Sequence, residues 1–195
     1  LATKKVALSS AMIGALVQRF VFVAHPTPES ARFVADIYDR SRKAGDDKVG
    51  YASAVTLGAI VEHMTGADAL AVELDERLCG DLKAAPNQNW AIALVRALGN
   101  ARTAAALPVI AARAADPHSA VREETARALR RFDDEAASGP LLALAKDISP
   151  EVERAAFAGL REQSLTDEQW ETLARMVEAG QTTPRADGQL VDLIE

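Results

Sequence analysis

DPHSAVREETARAL, residues 116–129, is the stretch of sequence that decides the fold. It opens with an Asp-Pro turn, and a helical pattern follows. Val121, Thr125, Ala128 and Leu129 lie at positions 0, +4, +7 and +8 of that pattern, which fall on one face of an α-helix. The stretch therefore predicts a turn and then a helix that buries one face, with a small residue where a neighbouring helix can approach closely.

The same frame occurs three times at an interval of 31 residues. The first position of the frame is Trp90, Val121 or Val152 in the three copies. The small residue at +7 is Ala97, Ala128 or Gly159, and the leucine at +8 is Leu98, Leu129 or Leu160. A looser copy ends at Leu57-Gly58, 41 residues before Leu98-Gly99. A period of this length with two helices is typical of an α-solenoid, in which each helix pair buries its apolar face against the next pair. The alternative is a compact bundle of evenly spaced helices, but the match in residue size as well as in hydrophobicity favours the solenoid.

The composition of the chain agrees with a helical fold. Apolar residues make up 49% of the sequence, and alanine, the strongest helix former, accounts for roughly a fifth of it. Turns, prolines and capping residues divide the chain into ten predicted helices, which would form an all-α, right-handed α-α superhelix (a HEAT-like solenoid) of about five helix pairs. Among these, the fifth helix is predicted to end at Gly99-Asn100.

The length of 195 residues suits one domain. We predict a single α-solenoid domain over residues 1–195, with the best-defined repeats over 47–180 and a polar tail or short terminal helix over 181–195. The sequence begins at Leu1 rather than Met, and no basic-then-apolar targeting signal precedes the first helix. We therefore expect the sequence to be a fragment of a longer chain.

The repeated stretch resembles HEAT repeats. The second helix of such a repeat opens with a turn Asp and then Val-Arg, followed by Ala and Ala-Leu, and residues 116–129 are similar to this pattern. Residues 149–156 are similar too, with Glu153 in place of the Arg, and Leu107-Pro108 resembles the proline that bends the first helix. The resemblance covers about residues 47–180. It implies a scaffold without an active site or a cofactor, whose second helices line a concave face that binds a protein partner or a neighbouring domain of the same polypeptide.

A narrower resemblance concerns the helical domain of vitellogenin-type large lipid transfer proteins. Residues 53–61, 94–101 with 107–110, and 126–132 are similar to three stretches of that domain and occur in the same order. This resemblance would imply a helical arch around a lipid cavity, and hence a lipid partner. Lyase subunits that act on bilin chromophores also contain HEAT-like repeats, but the chain has no combination of Cys and His residues that would support this class.

Residues with catalytic or metal-binding chemistry are sparse. Cys79 is the single cysteine, which excludes a disulfide framework and a Cys-based zinc site. His25, His63 and His118 have no second His or Cys at ligand spacing, and no glycine-rich phosphate loop or nucleophile elbow is present. The net charge of −6 argues against a nucleic-acid partner, and no apolar run approaches the length of a membrane span. We therefore predict no enzyme activity, no cofactor and no metal.

Basic residues cluster in the helix after residue 119. We predict that a protein partner binds exposed residues of this helix, namely Arg122, Glu123, Arg127 and Arg130. A structural interpretation stays open for the same residues. Glu123 and Arg127 have the spacing of an ion pair within one helix, and Arg122 could hydrogen-bond Asp116 or the turn of a neighbouring repeat.

Overall fold

The computed structural model describes residues 9–64, 68–132 and 135–180, and within these residues the fold is all-α with no strand. The described part contains ten α-helices. They are α1 (Ser10–Arg19), α2 (Pro28–Ala44), α3 (Asp47–His63), α4 (Ala69–Lys83), α5 (Gln88–Ala101), α6 (Ala106–Ala111), α7 (Ser119–Leu129), α8 (Glu135–Leu144), α9 (Pro150–Leu160) and α10 (Asp167–Glu178). Short 3-10 turns follow α1, at Phe20–Phe22, and α6, at Ala112–Ala115. The predicted tail or terminal helix over 181–195 lies outside the described residues, as do residues 4–8 of the predicted first helix.

Local sequence signals fix the helix ends. Thr27 caps α2 by accepting a hydrogen bond from the backbone N–H of Ser30 at 3.3 Å, and Pro28 occupies the first helical position. Gly45 ends α2 in the left-handed conformation, with φ of 70°. In α5 the cap is Asn87, whose Oδ1 accepts from the backbone N–H of Trp90 at 3.0 Å. These turns and caps confirm the division into helices that the sequence predicts.

The helices form two layers. Helices α1, α3, α5, α7 and α9 stack side by side in chain order, each against the next. Helices α2, α4, α6 and α8 form the second layer, and each packs against the odd-numbered helix that follows it in the chain. This arrangement gives four helix pairs, with α1 at one end and α10 at the other. The predicted all-α superhelix is confirmed, with four helix pairs in the described residues where about five are predicted.

The repeated frame supplies the core between successive odd-numbered helices. Its first positions, Trp90, Val121 and Val152, are all buried, and so are its small and leucine positions. The buried apolar residues from Val17 in α1 to Met176 in α10 form one hydrophobic cluster. The core therefore runs along the stack, because each copy of the frame covers the apolar face of its neighbour.

Glycines in the odd-numbered helices allow these helices to approach closely. A Cβ at Gly58 would lie 1.9 Å from the carbonyl oxygen of Ala97, and one at Gly99 would lie 2.8 Å from the Cβ of Ala128. The prediction that α5 ends at Gly99-Asn100 is wrong, because α5 continues to Ala101 and Arg102 takes the left-handed conformation instead, with φ of 51°. Gly99 serves helix packing and does not end the helix.

Candidate interaction surface

One side of the odd-numbered layer carries a regular set of exposed positions. They lie two and six residues after the first position of each frame, so they point away from the buried positions of the same helix. The set consists of Tyr51 and Val55 on α3, Ile92 and Arg96 on α5, Glu123 and Arg127 on α7, and Arg154 and Ala158 on α9, all at least partly exposed. We call this surface the odd-helix face. Its side chains are aromatic and apolar on α3, and they include charged residues on α5, α7 and α9.

The structure places Arg122 inside the repeat stack rather than on this face. Its side chain is 15% exposed, and it binds the carboxylate of Asp147 in the next repeat through Nε (2.6 Å) and Nη2 (2.9 Å). Its Nη1 donates to the carbonyl oxygen of Asp116 at 2.8 Å. The hydrogen bond from Arg122 lowers the pKa of Asp147, and the backbone N–H of Ser149 acts in the same direction. The predicted bonding of Arg122 to its own turn and to a neighbouring turn is confirmed.

The other three predicted site residues are accessible. Arg127 is 58% exposed and pairs with Glu123 at 2.5 Å, as their spacing predicts. Arg130 is 48% exposed and pairs with Glu162, just beyond α9, at 2.7 Å. Ion pairs between exposed side chains contribute only about 0.2–1 kcal/mol, so a partner can exchange them for its own contacts. The structure brings Glu123 and Arg127 together, while Arg130 points toward the end of α9.

A groove that the sequence did not predict lies on the apolar part of the odd-helix face. It has a volume of about 470 Å³ and crosses the end of α1, α3 and α5. It is lined by Gln18, Val21, Lys48, Tyr51, Ala52, Val55, Thr56, Asn89, Ile92, Ala93 and Arg96. The groove could have been predicted from the copy of the frame that ends at Leu57-Gly58. Counting from that copy places Tyr51 and Val55 in line with Ile92 and Arg96.

Two carboxylates that contact residues of the groove are hydrogen-bonded. Glu124 accepts two bonds from Arg96, at 2.9 Å and 2.8 Å. Asp47 accepts from Nε1 of Trp90 at 3.1 Å and from the hydroxyl of Tyr51 at 3.3 Å. Partial burial, together with Asp47, raises the pKa of Tyr51.

The two cations that line the groove, Lys48 and Arg96, are accessible to a ligand. Lys48 is exposed, and its side chain makes no hydrogen bond or ion pair within the described part of the chain. Arg96 keeps half of its side chain exposed while it binds Glu124. The residues that line the groove therefore include two cations, Lys48 and Arg96, and no carboxylate.

An aromatic cluster behind the groove fixes its wall. The ring of Trp90 packs edge-on against Tyr51, with centroids 4.7 Å apart, and edge-on against Tyr38 at 6.1 Å. Arg42 stacks over Trp90 at 5.1 Å and pairs with Asp81 at 2.5 Å. The chain's own guanidinium therefore fills the space that a cationic ligand would need, and the cluster is a structural support.

Cys79 is buried, and two of the three histidines contact oxygen atoms of the chain. Burial raises the pKa of Cys79 to about 11, with a further contribution from Asp75, so the thiol stays protonated. His63 contacts the carbonyl oxygen of Ala59 at 2.8 Å, and His118 contacts Asp116 at 3.2 Å. Within residues 9–64, 68–132 and 135–180, no group of three or more His, Cys, Asp or Glu residues could hold a metal ion. None of the helices described is both long and apolar enough to cross a bilayer.

Comparison with known proteins agrees with this geometry. Residues 76–161, from within α4 to just beyond α9, match the family model of HEAT repeats. The match supports a HEAT-repeat helical solenoid, which is the broader of the two resemblances. No curated protein matches the chain. The narrower resemblance to vitellogenin-type proteins has no support from these comparisons.

Proposed function

We propose that the chain is a non-catalytic scaffold whose odd-helix face binds a protein partner or a neighbouring domain of the same polypeptide. The pattern of that face carries the proposal. Equivalent positions on α3, α5, α7 and α9 are at least partly exposed and vary from aromatic to charged, while the positions of the frame behind them are buried. Solenoids that act in recognition combine a repeated support with variable surface side chains. HEAT repeats, which residues 76–161 match, typically mediate protein interactions.

The four residues predicted from the sequence have different parts in this proposal. Glu123 and Arg127 on the odd-helix face, together with Arg130 directly after α7, contact the partner, because their side chains are at least partly accessible and their ion pairs are exchangeable. Arg122 holds the turns before α7 and α9 in register through Asp147, and so positions the surface without contacting the partner. We further propose that this surface is the concave side of the superhelix.

A lipid-handling role would require a broad apolar stripe that the repeats leave uncovered. The large apolar side chains most exposed in the described residues do not form such a stripe along the odd-helix face. They are Met12, Leu16, Phe22 and Phe33 near α1 and α2, and the isolated Val72 and Ile148. This distribution favours the scaffold. Native mass spectrometry of the purified chain tests the alternative, since a lipid that co-purifies would support it.

Comparative affinity enrichment tests the scaffold. The chain, the double variant Arg127→Glu/Arg130→Glu and the control Lys83→Glu, which changes an exposed cation on α4, are immobilised and exposed to extract of the source cells. We expect at least one protein whose recovery is equal with the chain and the control but about tenfold lower with the double variant. Equal recovery of every protein with all three baits would overturn the proposal. Circular dichroism confirms that the variants are folded.

A further inference from the structure

We propose that the groove across α1, α3 and α5 binds an extended, acidic and partly apolar segment of a partner protein. The apolar side chains of the segment would occupy the floor of the groove, and its carboxylates would bind the cations at the rim and beyond it. This inference rests on the proposed scaffold function and specifies the chemistry of the partner.

The floor of the groove is apolar and its rim is polar. The floor residues are Val21, Ala52, Val55, Ile92 and Ala93. The volume of about 470 Å³ lies in the range of pockets that enclose small ligands, so it can take a few side chains but not a whole folded partner. Gln18 and Asn89 place side-chain amides at the rim, where they can both donate to and accept from the main chain of an extended segment.

The charges of the groove select an acidic segment. The side chain of Lys48 has no ion-pair or hydrogen-bond partner within the described residues, and the side chain of Arg96 is half exposed while it binds Glu124. The neighbouring carboxylates Asp47 and Glu124 already accept hydrogen bonds from Trp90, Tyr51 and Arg96. A basic segment would meet Lys48 and Arg96 in the lining as like charges.

The cations continue in one direction from the groove. Arg127 on α7 occupies the register of Arg96, and Arg154 on α9 occupies that of Ile92, one and two helices further along the stack. Glu123, the residue of α7 in the register of Ile92, is paired with Arg127. Packed helices lie about 8–10 Å apart, and an extended chain rises about 3.3 Å per residue. A segment anchored in the groove would therefore place an acidic residue over α7 about three residues after its apolar anchor, and over α9 about six residues after it.

Selection from a random-peptide phage library tests the groove directly, with the immobilised chain as the target. We expect the selected peptides to share apolar residues followed by acidic ones. The affinity of a fluorescently labelled selected peptide is then measured by fluorescence polarisation. Lys48→Glu and Ile92→Glu should each weaken its binding about tenfold, while Lys48→Arg and the control Lys83→Glu should change it less than about twofold. Added salt should weaken binding, because the contacts to Lys48 and Arg96 are electrostatic.

Three results would overturn the groove proposal. They are selected peptides that carry net positive charge, selected peptides whose affinity is unchanged by Lys48→Glu and Ile92→Glu, and a selection that enriches no peptide. The groove proposal can be wrong while the scaffold function is correct. If the affinity of the selected peptides were unchanged by the groove variants but lowered by Arg127→Glu/Arg130→Glu, the groove proposal would be wrong. The scaffold function would still be supported. Circular dichroism and the melting temperature establish that each variant is folded.

Discussion

At Gly58, helix α3 approaches α5 so closely that the space for a side chain is already occupied. The Cβ of an alanine there would lie 1.9 Å from the carbonyl oxygen of Ala97. This oxygen belongs to the backbone of α5, so it cannot move away by a change of side-chain rotamer. We expect Gly58→Ala to lower the free energy of unfolding by about 3 kcal/mol, because α3 and α5 must move apart. Urea denaturation followed by circular dichroism measures the change.

Gly80 in α4 provides the matched control. It is also helical, but nothing lies within 4 Å of its hypothetical Cβ. Gly80→Ala should therefore stabilise the chain by up to about 1 kcal/mol, since alanine is the better helix former. If Gly58→Ala and Gly80→Ala changed stability by the same amount, the close approach of α3 and α5 would be wrong.

Asp75 is a buried carboxylate without a cationic partner in the described residues. It is 5% exposed, accepts a hydrogen bond from the hydroxyl of Thr103 at 2.7 Å, and has no hydrogen-bond partner for Oδ1. Burial raises its pKa in the folded state, and Glu76 adds to the effect. We expect Asp75→Asn to raise the free energy of unfolding at neutral pH by about 1 kcal/mol, because the variant keeps the acceptor for Thr103 and removes a buried charge.

The pH dependence of Asp75→Asn follows from the sign of that shift. The folded state holds the Asp75 proton more tightly than the unfolded state, so the stability of the parent chain falls as pH rises through the folded pKa. The gain from Asp75→Asn should be present at neutral pH and disappear in acid, where Asp75 is itself protonated. Thermal melts of both proteins across this pH range measure the gain. If Asp75→Asn lowered the stability equally at neutral and at acidic pH, the prediction would be wrong.

At the scale of the elements, the pair between Arg122 and Asp147 joins one repeat to the next. Asp147 precedes α9 and Arg122 lies on α7, and both side chains are largely buried. Arg122→Ala would leave the Asp147 carboxylate without its guanidinium, so we expect a loss of about 2 kcal/mol in the free energy of unfolding. Arg127→Ala on the same helix removes an exposed pair and should cost less than about 1 kcal/mol. Similar losses for the two variants in urea denaturation would show that the pair is not an inter-repeat contact.

Acid should weaken the same contact. The guanidinium of Arg122 holds the pKa of Asp147 below its usual range, so the stabilisation is complete above the unfolded pKa of about 3.9. It is lost as pH falls through the lower, folded pKa. The acid-induced loss of stability should therefore be smaller in Arg122→Ala than in the parent chain. An identical acid slope in both proteins would exclude a contribution from this pair.

The sequence predicted elements and repeats better than surfaces. The frame around Val121 and the link from Arg122 to a neighbouring turn both follow from spacing within the repeat, so periodicity was enough. Gly99 was misinterpreted because a glycine that ends a helix and one that admits a neighbouring helix look the same in one sequence. The groove was missed because it joins α3 to α5 across an interval of 41 residues rather than 31, so the side chains that meet there are not in the regular register.

At the scale of the whole molecule, stability should vary along the stack. Each inner odd-numbered helix packs against one on either side, whereas α1 packs against α3 alone within that layer. Nine residues of α5 are buried, whereas α1 has Val17 alone in this class. In a solenoid the contacts are between nearest neighbours, so a helix at an end can open without the rest of the stack.

Hydrogen–deuterium exchange resolved by peptide should show this gradient. We expect the backbone amides of α5 and α7 to exchange slowest, because their opening breaks contacts on both sides, and those of α1 to exchange at least about tenfold faster. Gly58→Ala weakens the α3–α5 contact, so it should speed exchange in α1 and α3 more than in α9. A compact bundle would respond differently, since every helix would share one centre and a defect at α3 would speed exchange equally in all of them. Uniform protection from α1 to α9, or a uniform response to Gly58→Ala, would therefore contradict the nearest-neighbour core.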